Sequence, residues 1–349
     1  MLFDILDLSL GSTSWDLAGS SPAASATKKF FDIMELPRTL FSIILFYFIV
    51  FCFYLIVFVI LHIMKIVREN LHSANRTDWL KRIMEIYQTE YTAGDRLTFS
   101  FNGLPITKMD PWHVVTLACL VESLDRRNII VSLDRSEACG EYFFSGLKLG
   151  AYWKGKQDYT TADKTTVLNL WHIMPESTED HARRTVEYLK NRFFRHKDLS
   201  SVTLSLLEAY YNINDHSKSE GNAFSMLSFD EDTEVLNVAV CDFGIGIAKS
   251  VKDFDCTITD DKEALNKAME AKFTVGSKAH NAGLGLLNIR NVCTEKDNLW
   301  IISNCAALAL TNTQERAYDL DFNFQGTLLT YNVSLSHFED EDTLEGYEW

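Results

Sequence analysis

Residues 240–247 have the sequence Val-Cys-Asp-Phe-Gly-Ile-Gly-Ile, in which a carboxylate and two glycines directly follow an apolar run. The run at 235–240 is rich in β-branched residues and comes after a polar turn at 230–233. It therefore predicts the second strand of a hairpin whose first strand is 224–229. Asp242 is expected at the end of that second strand.

The residues after this strand suit an adenine pocket. A carboxylate there accepts a hydrogen bond from an exocyclic amine, and Gly244 and Gly246 permit positive φ and the close approach of a flat ring to the backbone. An ordinary strand-turn-helix connection explains the same Asp-x-Gly pattern equally well. Asp242-Phe243-Gly244 also matches the magnesium-binding tripeptide of protein kinases. The sequence lacks the glycine-rich strand pair, the strand lysine and the His-Arg-Asp loop that those enzymes need, which excludes this class.

Three further segments accompany this stretch. Upstream, residues 198–216 have helical periodicity and place Glu208 and Asn212 on one face of the helix. Downstream, Asn-Ala-Gly-Leu-Gly-Leu at 281–286 begins another helix, and Gly-Thr at 326–327 leads into a final strand.

In this order the four elements resemble the N, G1, G2 and G3 boxes of the GHKL ATP-binding family, which includes gyrase, histidine kinases, MutL and the anti-sigma-factor serine kinases. The resemblance covers residues 176–336. Glu208, Asn212, His216 and Ser217 match the pattern Glu-x-x-x-Asn-x-x-x-His-Ser, which is most similar to the small bacterial members. The family implies an α+β sandwich that binds ATP and Mg²⁺.

The resemblance also implies a role for each matching residue. Asn212 holds Mg²⁺ through its amide oxygen, and Glu208 orients or deprotonates the attacking water or hydroxyl. Asp242 binds the adenine amine, with a hydroxyl from Thr327 nearby; a hydrogen-bonded core threonine is the alternative. The segment 273–283 is the candidate lid. The candidate residues are Glu208 for catalysis, Asn212 for the metal, and Asp242, Gly244, Gly246, Lys278, Gly283, Gly285, Thr327 and His216 for the nucleotide.

The phosphates are expected at the lid and the helix after it. Lys278 meets them as a point charge, and Gly283 and Gly285 leave backbone N–H groups at a helix start, which is an anion site. A glycine pair that only ends a loop looks similar. Asp215 and His216 either contact the metal's waters and the phosphates or are surface groups.

Composition limits the partners. The formal net charge of -15 argues against nucleic acid and against electrostatic binding to anionic lipid. The seven cysteines are scattered without a CxxC motif, which is typical of a reduced, cytosolic protein.

Residues 40–64 contain no charged residue, Gly or Pro. A helix of this length is about 37 Å long and crosses a ~30 Å hydrocarbon core, whereas a buried core helix rarely stays apolar on every side. We predict one transmembrane helix. Basic residues favour its C-terminal side, so residues 1–39 are expected outside a bacterial inner membrane and the later domains in the cytosol. Residues 65–94 are predicted as a juxtamembrane helical linker that packs on its twin in a homodimer or on its own domain.

Residues 95–175 predict a small α/β domain. The strand at 97–101 is followed by an Asn-Gly hairpin signal, a helix beginning at Asp110-Pro111, a strand at 128–133, a short helix at 141–147 and a strand at 166–173. The pattern is similar to STAS-like domains, the partners of anti-sigma kinases. The predicted chain is 1–39 extracytoplasmic segment, 40–64 transmembrane helix, 65–94 linker, 95–175 STAS-like α/β domain, 176–336 GHKL ATP-binding domain and 337–349 acidic tail.

Three classes of function fit this organisation. The protein hydrolyses ATP or passes its γ-phosphate to a protein serine; or it is an ATP-gated switch acting on an unidentified protein partner; or it is a degenerate scaffold, which the intact Glu208 and Asn212 disfavour. A histidine-kinase mechanism is disfavoured as well. His181, on a helix predicted for 177–194, is not followed by Glu/Asp-Leu-Arg and is expected at the surface.

Overall fold

The computed structural model describes residues 38–63, 65–149, 166–270, 285–293, 297–311 and 314–340. The chain divides into two compact units, Met1–Ile63 and Met64–Trp349. In the first unit, helix α1 (Arg38–Ile63) exposes large apolar side chains such as Phe46 and Tyr54. Its side chains are described for residues 42–57. Within the parts described in this way, no helix combines the length and apolarity needed to cross a membrane.

The second unit begins with a three-stranded parallel sheet of order β1-β2-β3. Parallel neighbours need crossover connections, and two helices supply them. Asn75 caps the first of these by accepting a hydrogen bond from the Asp78 backbone N–H at 3.2 Å. The elements are β1 (Ile66–Asn70), α2 (Arg76–Gln88), β2 (Arg96–Ser100), α3 (Pro111–Arg126) and β3 (Ile130–Leu133).

Two expectations for this region differ from the structure. The linker predicted as a helix over 65–94 contains β1 before α2, because Ile66–Asn70 pairs in parallel with Arg96–Ser100. The Asn102-Gly103 signal does not form a hairpin, since both hydrogen-bonded neighbours of β2 run parallel to it. The helix start at Asp110-Pro111 is confirmed.

The rest of the second unit forms a five-stranded antiparallel sheet of order β4-β5-β6-β8-β7. The predicted hairpin is confirmed as β5 and β6, and the helix predicted over 198–216 ends in a π turn at Ile213–Ser217. The strand predicted at 166–173, assigned from sequence to the preceding domain, pairs with β5 of this sheet. The elements are α4 (Ala138–Glu141), β4 (Thr166–His172), α5 (Thr178–Arg192), α6 (Ser200–Asn212), β5 (Ala223–Asp230), β6 (Val235–Asp242), α7 (Ile247–Phe254), α8 (Asp261–Ala268), α9 (Gly285–Val292), β7 (Leu299–Leu310) and β8 (Glu315–Ser334).

Helices cover both faces of the five-stranded sheet. On β6, Ala239 and Cys241 belong to the core shared with α2 and α3, whereas Leu236, Val238 and Val240 belong to the core shared with α5–α9. The helices α2 and α3 therefore lie between the two sheets. This mixed α/β arrangement explains why β6 is an almost continuous apolar run instead of an alternating one.

His181 is buried, contrary to the expectation of a surface histidine. It is 0% exposed and stacks on Trp171 with ring centroids 3.9 Å apart. Burial lowers its pKa to about 3. The physical reason is its position on α5, where Ala182, Thr185 and Leu189 continue the same buried stripe.

Candidate functional site

Asp242 is the last residue of β6 and is almost fully buried, with 2% of its surface exposed. Its Oδ1 accepts a hydrogen bond from the Gly244 backbone N–H at 2.8 Å. Burial raises the pKa of the carboxyl to about 7, although hydrogen bonds from the Gly244 and Thr327 backbones act to lower it. In the described part of the chain, no Lys, Arg or His side chain forms an ion pair with Asp242. A buried acceptor without a charged partner is the kind of group that recognises a polar ligand.

The glycines after Asp242 lie where the protein itself is crowded. A Cβ on Gly244 would be 1.9 Å from the carbonyl oxygen of Ser217. Gly246 has φ +85°, and a Cβ there would be 2.5 Å from Asn304 Oδ1. Both positions thus require glycine for packing within the protein, whether or not a ring also approaches them.

A hydrogen bond holds the loop at 243–246 against the π turn that follows α6, the helix that carries Glu208 and Asn212. The Ile245 backbone N–H donates to the Ser217 carbonyl at 2.7 Å. This contact brings the end of β6 and the end of α6 together, so two of the predicted motifs meet in space. The His216 backbone lies in the same turn, while its side chain and that of Asp215 fall outside the described part of the structure.

Three hydroxyl and amide side chains, two of them not predicted, hold the start of α7. The Ile247 N–H donates to Ser303 Oγ at 2.8 Å and to Thr327 Oγ1 at 3.2 Å. Asn304 Oδ1 accepts from the Lys249 N–H at 3.0 Å. Thr327 is therefore a hydrogen-bonded threonine in a nearly buried position. Ser303 and Asn304 escaped prediction because the sequence places them within a strand, and only the pairing of β7 with β8 brings them to the loop.

Glu208 and Asn212 lie on α6 as predicted, one helical turn apart. Asn288 on α9 donates from Nδ2 to Glu208 Oε1 at 3.2 Å. The other carboxylate oxygen, Oε2, is buried and has no hydrogen-bond partner among the described residues. Burial raises the pKa of Glu208, and the bond from Asn288 opposes this rise. Such a carboxylate has one oxygen held in place and one free to accept a proton or orient a water.

Asn212 also carries an unpartnered atom, its buried Nδ2. In the described residues, no group of three or more His, Cys, Asp or Glu side chains could hold a metal ion. Asn212 would offer its amide oxygen to a metal, with the remaining ligands coming from a bound molecule and water. Mg²⁺ fits such a site, because it usually keeps several waters and takes one or two protein ligands beside phosphates.

The predicted phosphate residues fall largely outside the described structure. Lys278, Gly283 and the whole lid over 273–283 lie in the undescribed segment 271–284. Gly285 is the first residue of α9, consistent with the predicted helix start. Asn288, three residues later, was not predicted as a site residue. Its position near the predicted glycines, on a helix that begins at Gly285, could have indicated it.

Polar bonds also connect the site to the layer formed by α2 and α3. The Phe243 N–H donates to the Asn222 carbonyl at 3.1 Å. The Asn222 amide in turn donates to the Cys119 carbonyl at 3.0 Å and to Ser123 Oγ at 2.7 Å, both on α3. Tyr87 of α2 contacts Phe243 edge to face, with ring centroids 5.2 Å apart.

No protein-family model matches this chain, and no curated protein is significantly similar to it.

Proposed function

We propose that residues 176–336, within the unit at 64–349, form an ATP-binding module of the GHKL type. The observation that carries the proposal is Asp242: a carboxylate with 2% exposure, at a strand end, held by the Gly244 N–H and without an ion pair to any described residue. Such a group is costly to bury, and an exocyclic amine of adenine is a ligand that would satisfy it. The contact of Ile245 with Ser217 places the loop after Asp242 beside the end of the helix of Glu208 and Asn212.

Within this proposal each candidate residue has a defined role. Asp242 accepts from the adenine amine, and Asn212 offers an oxygen ligand for Mg²⁺, which neutralises phosphate charge when bound. Glu208 takes the proton of the attacking oxygen through Oε2 while Asn288 fixes Oε1. Its raised pKa brings it closer to neutral pH, where a general base is most effective. Lys278, Gly283 and Gly285 are proposed to meet the phosphates, with His216 close to them.

The reaction that follows binding has two candidate forms. We favour an enzyme that hydrolyses Mg·ATP or passes the γ-phosphate to a protein partner, because Glu208 has a free oxygen and a positioned one. An ATP-gated switch with little turnover is the second form, favoured by the bonds that connect Asn222 to α3. Incubating the full-length protein with γ-labelled ATP, alone and with cell extract, separates them. Released or transferred label supports the enzyme, and ATP binding without either supports the switch.

We also propose that α1 anchors the protein as a single-pass helix in a bacterial inner membrane, with residues 64–349 in the cytosol and a homodimer formed through α1. Its exposed phenylalanines support this, since such side chains are costly in water. From the pattern of its strands and helices, the region at residues 95–175, which contains β2, α3 and β3, is proposed to be STAS-like.

The test of nucleotide binding is calorimetry of Mg·ATP with the full-length parent and with Asp242→Asn. We expect at least a tenfold loss of affinity in the variant. Asp230→Asn is the matched control, because Asp230 ends the neighbouring strand β5 but is exposed. Equal affinity in all three proteins would remove Asp242 from the site and the proposal with it.

A further inference from the structure

A second cleft, which does not include the loop of Asp242, opens on the face of the five-stranded sheet that α2 and α3 cover. Its volume is about 220 Å³, and the first residues of α2 and α3 form one wall while β6, β7 and β8 form the other. Pockets for drug-sized ligands measure roughly 300–1,000 Å³, so this one suits a smaller molecule. Its polar and aromatic lining includes Arg76, Asp110, Trp112, Asn237, Trp300 and Asn332.

Arg76 lies in this cleft between two indole rings. Its guanidinium carbon is 5.5 Å from the ring centroid of Trp112 and 5.0 Å from that of Trp300. The Nε atom is buried and finds no hydrogen-bond partner within the described ranges of the chain. Burial lowers the pKa of Arg76, and the charge of Asp110 raises it. No ion pair joins Arg76 to any carboxylate in the described parts of the chain, so its nearest contacts are the two aromatic faces, with the charge of Asp110 farther away.

Asp110 supplies the opposite charge on the same wall. Its Oδ2 accepts a hydrogen bond from Trp112 Nε1 at 3.1 Å. Burial raises the pKa of this carboxyl, and the positive charge of Arg76 counteracts the rise. The cleft thus contains a half-buried cation and an exposed anion that form no direct ion pair with each other. A ligand with two complementary charges would pair with both of them.

Two other features favour the same kind of ligand. Helices α2 and α3 both begin at the cleft, and the N-terminus of a helix favours a negatively charged group. On the opposite wall, the Asn298 N–H donates to Asn332 Oδ1 at 2.6 Å, which fixes the Asn332 amide beside Asn237. These amides offer neutral hydrogen bonds, and the indoles offer flat apolar surface.

From this arrangement we propose that the cleft binds a small zwitterion of the free amino-acid class, with its carboxylate at Arg76 and its ammonium group at Asp110. The ligand's side chain would then lie along Trp112 and Trp300. The inference is independent of ATP binding, because none of these residues belongs to the loop at 242–247 or to α6.

The experiment is a thermal-shift screen of the full-length protein against the proteinogenic L-amino acids, each at millimolar concentration, followed by calorimetry of every amino acid that stabilises it. Each one that binds is then compared with its N-acetyl derivative, which lacks the ammonium group, and with its methyl ester, which lacks the carboxylate. We expect both derivatives to bind at least tenfold more weakly. If no amino acid raises the melting temperature, or if either derivative binds as well as the parent compound, the proposal is overturned.

Two variants locate the site. Arg76→Gln and Asp110→Asn should each reduce amino-acid affinity at least tenfold, while Arg183→Gln and Asp78→Asn, at exposed ion-pair or surface positions, should not. Melting temperatures without ligand show whether each variant is folded. Should Arg76→Gln fail to fold, the two derivatives still decide the question, because they need no mutation. Folded cleft variants that bind like the parent would overturn the assignment to this cleft.

Discussion

Asp242→Asn is expected to raise the free energy of unfolding and to weaken ATP binding. Both effects come from replacing one carboxylate oxygen with an amide nitrogen. The substitution keeps the shape of the side chain but removes its charge. Because burial raises the pKa of Asp242 to about 7, the fold disfavours the ionised carboxylate. The unfolded chain ionises it at its ordinary, lower pKa. The parent should therefore lose stability as pH rises from about 4 to about 7 and show no further loss from this group above that range.

The size of this effect follows from the same pKa difference. A rise from 3.8 to about 7 corresponds to about 4 kcal/mol at about 1.36 kcal/mol per pH unit. If the new amide group turns its nitrogen toward the Thr327 backbone N–H, the hydrogen bond from that N–H is lost. This loss removes about 1 kcal/mol of the gain in stability. A net gain of about 3 kcal/mol at pH 8 raises the melting temperature by about 4–5 °C for a chain of this size, because the entropy of unfolding is about 2.1 cal/mol/K per residue.

The effect on ATP has a separate origin. Hydrogen bonds to charged groups contribute about 1.5–3 kcal/mol, and losing one of them costs roughly tenfold to a hundredfold in affinity. The assay is a melting curve at several pH values for parent and variant without nucleotide, with calorimetry of Mg·ATP on the same preparations. The gain in stability should vanish near pH 4. If Asp242→Asn is less stable than the parent at pH 8, then the ionised carboxylate stabilises the fold, and the reasoning from burial is wrong.

Four further changes have defined outcomes. Glu208→Gln should keep Mg·ATP affinity within a few-fold but lower any hydrolysis or transfer by about 100-fold, measured as phosphate release; parental turnover in this variant would exclude Glu208 as the base. Asn212→Ala should weaken the affinity for Mg·ATP itself, and calorimetry with unchanged affinity would contradict its role at the metal. Removing residues 1–64 should release the protein from the membrane fraction with ATP binding intact, whereas a truncated protein that still pellets has another anchor. Gly244→Ala places a Cβ 1.9 Å from the Ser217 carbonyl oxygen and should lower the free energy of unfolding by about 1–3 kcal/mol, so an unchanged melting temperature would argue against this packing.

Local signals in the sequence predicted much of the element order. The polar turn before Val235 and the apolar run after it gave the β5–β6 hairpin, and Asp110-Pro111 gave the start of α3. These features depend on residues close in sequence, where turn chemistry and periodicity act. The position of Asp242 at the end of β6 follows from the same signals.

Long-range pairing could not be predicted in this way. The strand Thr166–His172 has the same local character beside either sheet, and its antiparallel partner β5 lies about fifty residues later. Ser303 and Asn304 likewise reach the loop of Gly246 only through the sheet. The burial of His181 could have been found, because it shares the four-residue spacing of Thr185 and Leu189. The predicted lid, including Lys278, lies outside the described residues and stays a prediction.

The position of α2 and α3 between the two sheets determines which fragments of the chain can fold. Leu80 and Leu117 share one buried core with Phe224 and Leu328, from the far end of the sequence. A fragment that begins at residue 176 would lack this covering layer and its edge strand β4, and would expose a broad apolar surface of the kind that drives aggregation. Residues 64–349 should instead unfold in a single cooperative transition, so that a helix early in the chain and a strand near its end are lost together.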